Sequence, residues 1–151
     1  MVTSLRVDGT PRPQGSKNVS RTGHVYESSK HLKAWRASIA LAARAHRVRP
    51  VNAPVAVGLE FVMPRPARTP KNQPPPPATQ RPDLDKLERA VLDALTGIGW
   101  VDDSHVTHLI ASKRRADDGE PAGVSIHIAP ATPADIGHIL TTLERNWSPP
   151  C

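Results

Sequence analysis

The sequence is short of cysteine, of aromatic residues and of long apolar runs. Cys151 is the single cysteine among 151 residues, so no disulfide can form within the chain and nothing points to an oxidising compartment. No stretch approaches the roughly 18 apolar residues of a membrane span, and the N-terminus has no apolar targeting core. We therefore expect a cytoplasmic protein that has no membrane partner.

Aromatic residues make up only 3% of the chain, so the core must rest on Val, Leu, Ile and Ala. Trp35 and Trp100 are its expected large side chains. The 20 Lys and Arg residues outnumber the 14 Asp and Glu residues, which gives a formal charge of +6. Such a charge favours a polyanionic partner such as nucleic acid. The length is that of one domain, covering residues 1–151.

Apolar periodicity predicts an α/β (α+β) fold, with a mixed β-sheet and packed helices. Strands are expected at 2–7, 54–64, 105–116 and 123–130, and helices at 30–47, 84–97 and 133–146. The last two strands flank Asp117-Asp118-Gly119 and are predicted to form a hairpin. Residues 8–23 are rich in Gly, Pro, Ser and Asn and are predicted to be a basic loop.

Residues 64–82, with the sequence PRPARTPKNQPPPPATQRP, are dense in proline. Apart from the prolines they have no apolar side chain larger than alanine, so they cannot contribute to the core. We predict an extended, mobile loop within the single domain. A linker between two domains is the weaker interpretation, because neither half is long enough to stand comfortably alone.

Residues 81–103, RPDLDKLERAVLDALTGIGWVDD, gather acidic residues at both ends of a predicted helix. The apolar residues of this helix form one stripe, so it is expected to pack on the core. Asp83 stands at the N-cap, where capping and the helix dipole offer an ordinary explanation worth about 1 kcal/mol. That explanation does not cover Asp85, since two carboxylates so close repel each other unless a cation lies between them.

The acidic pair Asp102 and Asp103 follows Gly97 and Gly99, which are expected to end the helix and turn the chain back. A strand that lies beside the helix would return this pair to the helix start. Three or four carboxylates would then surround one point. Such hard oxygen ligands suit Mg²⁺, with Mn²⁺ as the alternative, so the sequence predicts a divalent metal site.

Other chemical interpretations fit the sequence less well. The D-x-D of a phosphatase or sugar transferase is expected at the end of a buried strand, whereas this one follows PPPPATQRP. The stretch DGTPRPQGSK has the wrong spacing for a phosphate-binding loop. No Ser/His/Asp or Cys/His arrangement indicates a covalent nucleophile.

Residues 81–106, RPDLDKLERAVLDALTGIGWVDDSHV, closely resemble the RusA family of Holliday junction resolvases, which are endonucleases of phages and prophages. The D-L-D, D-A-L and D-D motifs carry the resemblance. It implies a homodimeric, Mg²⁺-dependent endodeoxyribonuclease that nicks two strands symmetrically across a four-way DNA junction. It also implies that Asp83, Asp85 and Asp103 are the catalytic and metal-binding carboxylates, with Asp102 as a supporting ligand.

Two residues depart from the family pattern. Lys86 stands where the family has asparagine, and Arg89 stands where it has a functional lysine. Arg89 follows Asp85 by four residues, so an ordinary helical ion pair is one interpretation. The alternative is a catalytic cation that contacts the scissile phosphate or orients Asp85. Arginine keeps the charge but not the compact ammonium group, which Lys86 would supply instead.

Several basic residues are predicted to bind DNA phosphates and to supply most of the affinity. They are Arg12, Lys17, Arg81, Lys86, Arg89, Lys113, Arg114 and Arg115. For the run SKRRA, which contains the last three, a solvated strand end is an equal alternative. Two other functions stay open, namely a nuclease of flaps or forks and a non-catalytic DNA-binding module on the same fold.

Overall fold

The computed structural model describes residues 1–15, 17–19, 25–27 and 30–147; Cys151 and the side chain of Lys17 lie outside the described part. The strands are β1 (Thr3–Asp8), β2 (Lys17–Val19), β3 (Val25–Glu27), β4 (Val55–Met63), β5 (Val106–Arg115) and β6 (Gly123–Pro130). The helices are α1 (Lys30–Ala45), α2 (Leu84–Leu95) and α3 (Pro133–Asn146). The predicted fold class is confirmed, and so is the order of the seven long elements.

Four strands form a mixed sheet in the order β1-β6-β4-β5. The central strand β4 pairs with β5 in parallel and with β6 antiparallel. All nine of its residues are buried, which is typical of a strand covered on both faces. The predicted hairpin of β5 and β6 is therefore wrong. The apolar β4 takes the place between them, and α2 forms the crossover that its parallel pairing with β5 requires.

The short strands β2 and β3 form a separate antiparallel pair. Residues Lys17–Val19 fall within the segment predicted to be a loop, so the loop prediction is wrong there. Three residues that include Lys17 and Asn18 carry no alternation of apolar and polar side chains. Pattern recognition needs four or more residues to detect a strand.

Helices cover both faces of the four-stranded sheet. α1 and α2 pack on one face, where Trp35, Phe61 and Trp100 lie in the main apolar cluster, and both tryptophans are buried as predicted. α3 packs on the opposite face, against the middle of β4. A Cβ atom at Gly58 would clash with Cγ2 of Ile139, so the missing side chain lets α3 approach the sheet closely.

The proline-rich segment 64–82 connects the end of β4 to the start of α2. None of its residues is buried, which confirms that it adds nothing to the core. Nη2 of Arg65 donates to the carbonyl oxygens of Pro70 at 2.7 Å and Gln73 at 2.8 Å, so the segment is folded on itself. Its mobility stays a prediction. Among the described helices, none has the length and apolar character needed to cross a membrane.

Candidate active site

The two aspartates at the start of α2 are exposed, and the first of them does not act as a capping group. Asp83 occupies the N-cap position with extended backbone angles, but its side chain makes no capping hydrogen bond. Asp85 lies in the first turn of the helix. Capping therefore does not account for Asp83, and of the ordinary explanation only the interaction with the helix dipole remains. The helix start therefore presents two carboxylates to solvent, close to the positive end of the helix dipole.

A cleft of about 370 Å³ opens beside Asp83. The loop that follows β1 forms one wall, and the end of the proline-rich segment forms the other. The backbone N–H of Gln14 donates to the carbonyl oxygen of Lys86 at 3.0 Å, which holds the first wall against α2. The lining residues are Thr10, Pro11, Arg12, Pro13, Met63, Arg81, Pro82, Asp83 and Lys86. Three of the predicted DNA-binding cations thus meet one of the predicted catalytic carboxylates.

Lys113 fixes the second wall of this cleft. It lies on β5 beside Phe61 of β4. Its Nζ donates to the carbonyl oxygen of Gln80 at 3.1 Å and to that of Pro82 at 2.8 Å. Pro82 directly precedes Asp83. Lys113 therefore holds the backbone that enters α2, and its ammonium group is engaged within the chain.

Arg115 fastens the same segment at a second place. Its Nη1 donates to the carbonyl oxygen of Pro64 at 3.3 Å, and its Nη2 donates to Oε1 of Gln80 at 3.4 Å. Both Lys113 and Arg115 point towards the face of the sheet that carries α2, because alternate residues of a strand share a face. These two cations therefore hold the proline-rich segment in place through hydrogen bonds.

Arg114 points to the opposite face of the sheet, the face on which α3 packs. Its Nη1 and Nη2 donate to the two carboxylate oxygens of Glu120 at 2.6 and 2.7 Å, and Nη2 lies 3.6 Å from Oε1 of the buried Glu60. The hydrogen bonds to Glu120 are the main cause of a raised Arg114 pKa and a lowered Glu120 pKa. The guanidinium group is committed to this network, away from Asp83.

Arg89 is exposed on α2, and its Nη1 points towards the loop at Gly15, about 3.9 Å from where a Cβ atom would lie on that glycine. Among the described residues it forms no ion pair with Asp85, so the simple helical ion pair is absent. Lys86 lines the cleft instead. Both departures from the family pattern therefore place a cation near the acidic helix start.

Asp103 lies at the other end of α2. Its Oδ1 accepts from Nε1 of Trp100 at 3.0 Å and from the hydroxyl of Thr96, the C-cap residue of the helix. The buried indole needs an acceptor for its N–H, and this requirement holds Asp103 beside the helix end. The 12 residues of α2 span about 18 Å at a rise of about 1.5 Å per residue. The chain therefore does not bring Asp103 back to Asp83 and Asp85.

Asp102 begins a short 3₁₀ turn, Asp103–His105. Its carboxylate accepts from the hydroxyl and the backbone N–H of Ser104, and these bonds lower its pKa. Within residues 1–15 and 30–147, no three Asp, Glu, His or Cys side chains converge on one point. The expected gathering of three or four carboxylates at the helix start is thus absent from the single chain.

Glu88 is a carboxylate that the sequence interpretation missed. Burial raises the pKa of its carboxyl, and the nearby charge of Asp85 raises it further. Glu88 follows Asp85 by three residues, and that spacing places side chains on one helix face. The spacing of three residues could therefore have identified Glu88 as a neighbour of Asp85. The role of Lys113 had no comparable signal, because its partners lie 31 and 33 positions away in sequence.

A mixed α/β fold with exposed carboxylates beside a basic cleft is consistent with the class of proteins that hydrolyse phosphodiesters. The family described as endodeoxyribonuclease RusA matches residues 8–129 of this chain. That range is most of the 151 residues, and the chain therefore belongs to the RusA endodeoxyribonuclease family. Membership confirms the resemblance seen in residues 81–106 and places the chain among nucleases that act on DNA junctions. A search of curated proteins found no match.

Proposed function

We propose that the chain is a Mg²⁺-dependent endonuclease that resolves four-way DNA junctions by paired, symmetric nicks. One observation carries the proposal: Asp83 and Asp85 are exposed at the start of α2, Asp83 makes no capping hydrogen bond, and Asp83 lines a cationic cleft. An acidic pair in contact with a polyanion is favourable mainly when a divalent cation lies between them. Mn²⁺ is the alternative cation.

The donor set at the helix start fits such a cation. Carboxylate oxygens are the ligands that Mg²⁺ prefers, and among the described residues nothing donates a hydrogen bond to either aspartate. When bound, the metal would lower the pKa of a water molecule and neutralise charge on the phosphate. Asp83 and Asp85 would hold it at the mouth of the cleft. Lys86 and Arg89 would attract the phosphodiester to the same place.

We propose a homodimer because one chain holds only part of the predicted ligand set. α2, which is about 18 Å long, lies between Asp103 and the acidic pair, whereas a partner chain whose α2 runs antiparallel would bring its own Asp103 towards that pair. Two such composite sites related by a two-fold axis match the approximate two-fold symmetry of a four-way junction. Oδ2 of Asp103 accepts no hydrogen bond from a described residue, and it is available for this role.

The three cations that line the cleft, together with Arg89 on α2, would supply the affinity for DNA. Arg12, Arg81, Lys86 and Arg89 are the described candidates, since none of them forms an ion pair within the described chain. Contacts with phosphates favour no sequence, so recognition would rest on the shape of the junction. Binding should therefore weaken steeply as the salt concentration rises.

The direct test uses labelled four-way, forked and linear duplex DNA, each with magnesium and with a chelator. Wild type should cut the four-way junction at two symmetric positions only with magnesium. Asp85→Asn should lose at least about 100-fold in cleavage rate and still bind the junction. Asp118→Asn, the same change at an exposed turn, is the matched control.

Each other outcome corrects a specific part of the proposal. A wild type that binds the junction and leaves it intact under magnesium contradicts the nuclease assignment and favours a DNA-binding module. Preferred cutting of forks shows that flaps and forks are the substrates. Normal cutting by Asp85→Asn contradicts the site.

A further inference from the structure

The cleft beside Asp83 has a lining that phosphate binding alone does not explain. Its walls include Pro11, Pro13 and Pro82 and the side chain of Met63, which is 5% exposed. These are apolar surfaces of limited flexibility. A site that bound only phosphate oxygens would need donors and positive charge, and these four side chains supply neither. The cleft therefore has a second kind of surface, suited to a flat apolar group.

The cationic side chains of the cleft lie around these apolar side chains. Arg12, Arg81 and Lys86 line it, and none of them forms an ion pair with a described carboxylate. Lys113 and Arg115 fasten one wall, and the Gln14–Lys86 hydrogen bond fastens the other. The cleft is thus formed before a ligand arrives. Its fixed walls reduce the ordering cost of binding.

The volume and the lining together indicate the class of ligand. About 370 Å³ lies at the low end of the roughly 300 to 1,000 Å³ found for small-ligand sites, which suits a single nucleotide. The base offers a flat face to proline and methionine, and the phosphate offers charge to the cations. Bases within a continuous duplex are stacked and cannot enter. An unpaired base at a branch point enters at little cost.

We propose that this cleft binds one unpaired nucleotide of branched DNA next to the phosphate held at Asp83 and Asp85. This rests on the proposed function and adds a means of distinguishing a branch point from linear duplex. Met63, Pro11, Pro13 and Pro82 contact the base. Arg12 and Arg81 contact its flanking phosphates. The nucleotide then anchors the strand that is to be cut.

The test places 2-aminopurine at the branch point of a four-way junction and, separately, in a single-base bulge, with a chelator present. The fluorescence of this base is quenched by stacking, so entry into a cleft whose described lining contains no aromatic side chain should increase it. Thr10→Trp fills the cleft from an exposed position and should abolish the increase. It should also weaken junction binding about tenfold relative to duplex binding. Thr141→Trp, at an exposed position of α3, is the control and should behave as wild type.

An abasic residue at the branch point tests the same idea without altering the protein, and it should weaken wild-type binding about tenfold. Fluorescence that does not change on binding, or that changes equally in wild type and Thr10→Trp, overturns the proposal. So does an abasic junction that binds as tightly as the intact one.

The two proposals fail in different ways. If the fluorescence response is present and the junction stays uncut under magnesium, the nuclease function is wrong and the nucleotide site stands. If cutting is normal and Thr10→Trp changes neither fluorescence nor junction affinity, the nucleotide site is wrong and the nuclease function stands.

Discussion

At the scale of single residues, a substitution of Lys113 can distinguish two roles for this residue, namely binding of DNA phosphate and positioning of the backbone before Asp83. Lys113→Met keeps the aliphatic chain and removes the donors to the carbonyl oxygens of Gln80 and Pro82. The backbone before Asp83 should then lose its anchor. We expect kcat for junction cleavage to fall about tenfold while KM stays within about twofold, because a 1 Å shift of a catalytic group is costly.

Lys71→Met, at an exposed position of the proline-rich segment, is the matched control for this change. It removes the same charge and breaks no hydrogen bond that the structure describes. If Lys113→Met instead raises KM and lowers the salt dependence of binding by about one counterion, then Lys113 contacts DNA phosphate directly. Restoration of kcat by Lys113→Arg would support the positioning role, since arginine retains donors.

Glu60 gives a prediction on pH. Burial is the largest cause of its raised pKa, and the Arg114 guanidinium only partly opposes it. The folded state thus holds the Glu60 proton more tightly than the unfolded state does. The resulting stability is fully present below the ordinary value of 4.5 and is lost as the pH rises through the folded pKa. The Glu60→Gln variant cannot ionise at this position. Its free energy of unfolding, relative to that of wild type, should therefore increase as the pH rises from 4 to 8. Urea unfolding across that range measures the difference between the two proteins, and a difference that stays constant would contradict a raised pKa for Glu60.

At the candidate site, the sequence predicts which side chains are exposed but does not predict what each cation contacts. Exposure of Asp83 and Asp85 follows from the apolar stripe of α2, which fixes the opposite face of that helix towards solvent. The roles of Lys113, Arg114 and Arg115 do not follow. These three residues alternate between sheet faces, and only their partners at Gln80 and Glu120 determine what each cation does. Such partners are tertiary contacts, which no local pattern encodes.

At the scale of elements, α2 separates the two acidic groups, and its end is set by Gly97. The backbone φ of Gly97 is 84°, and its N–H donates to the carbonyl oxygen of Trp100 at 2.7 Å. Gly97→Ala should destabilise the protein by about 1 kcal/mol, since no atom lies near the added Cβ and only the backbone conformation resists. Gly137→Ala, within α3 and equally free of neighbours, should stabilise it by about 0.5–1 kcal/mol. Thermal unfolding of both variants checks the opposite signs. If both variants shift the unfolding temperature in the same direction, the positive φ of Gly97 is not the reason that this position needs glycine.

The order of the strands was the part of the fold that local patterns could not supply. β6 and α3 begin and end at the predicted residues, since turn residues and the Thr132-Pro133 start mark their limits. The prediction that β5 pairs with β6 was wrong because the ten residues of β5 alternate only weakly between buried and exposed. β4 offers a continuous apolar strand, and burial of that strand on both sides outweighs the shorter connection to β6.

At the scale of the whole molecule, the distance between Asp85 and Asp103 makes the dimer testable by mixing variants. Asp85→Asn and Asp103→Asn should each be inactive alone. The asparagine at 103 can still accept from the Trp100 indole, so the fold should persist. If each site combines the helix start of one chain with Asp103 of the other, a mixed dimer holds one doubly altered site and one intact site. If each site lies within one chain, no mixed dimer holds an intact site.

Random exchange of subunits makes about half of the dimers mixed, and each of these has one working site of two. The mixture should therefore recover about a quarter of the wild-type nicking rate, with one strand cut per junction and few paired cuts. An affinity tag on one variant measures the exchange, and a mixture of tagged and untagged Asp85→Asn is the control. Proven exchange without recovered nicking would mean that Asp103 acts within its own chain or not at all. The proposed composite site would then be rejected, while the acidic pair and cleft at the start of α2 would remain to be tested by Asp85→Asn alone.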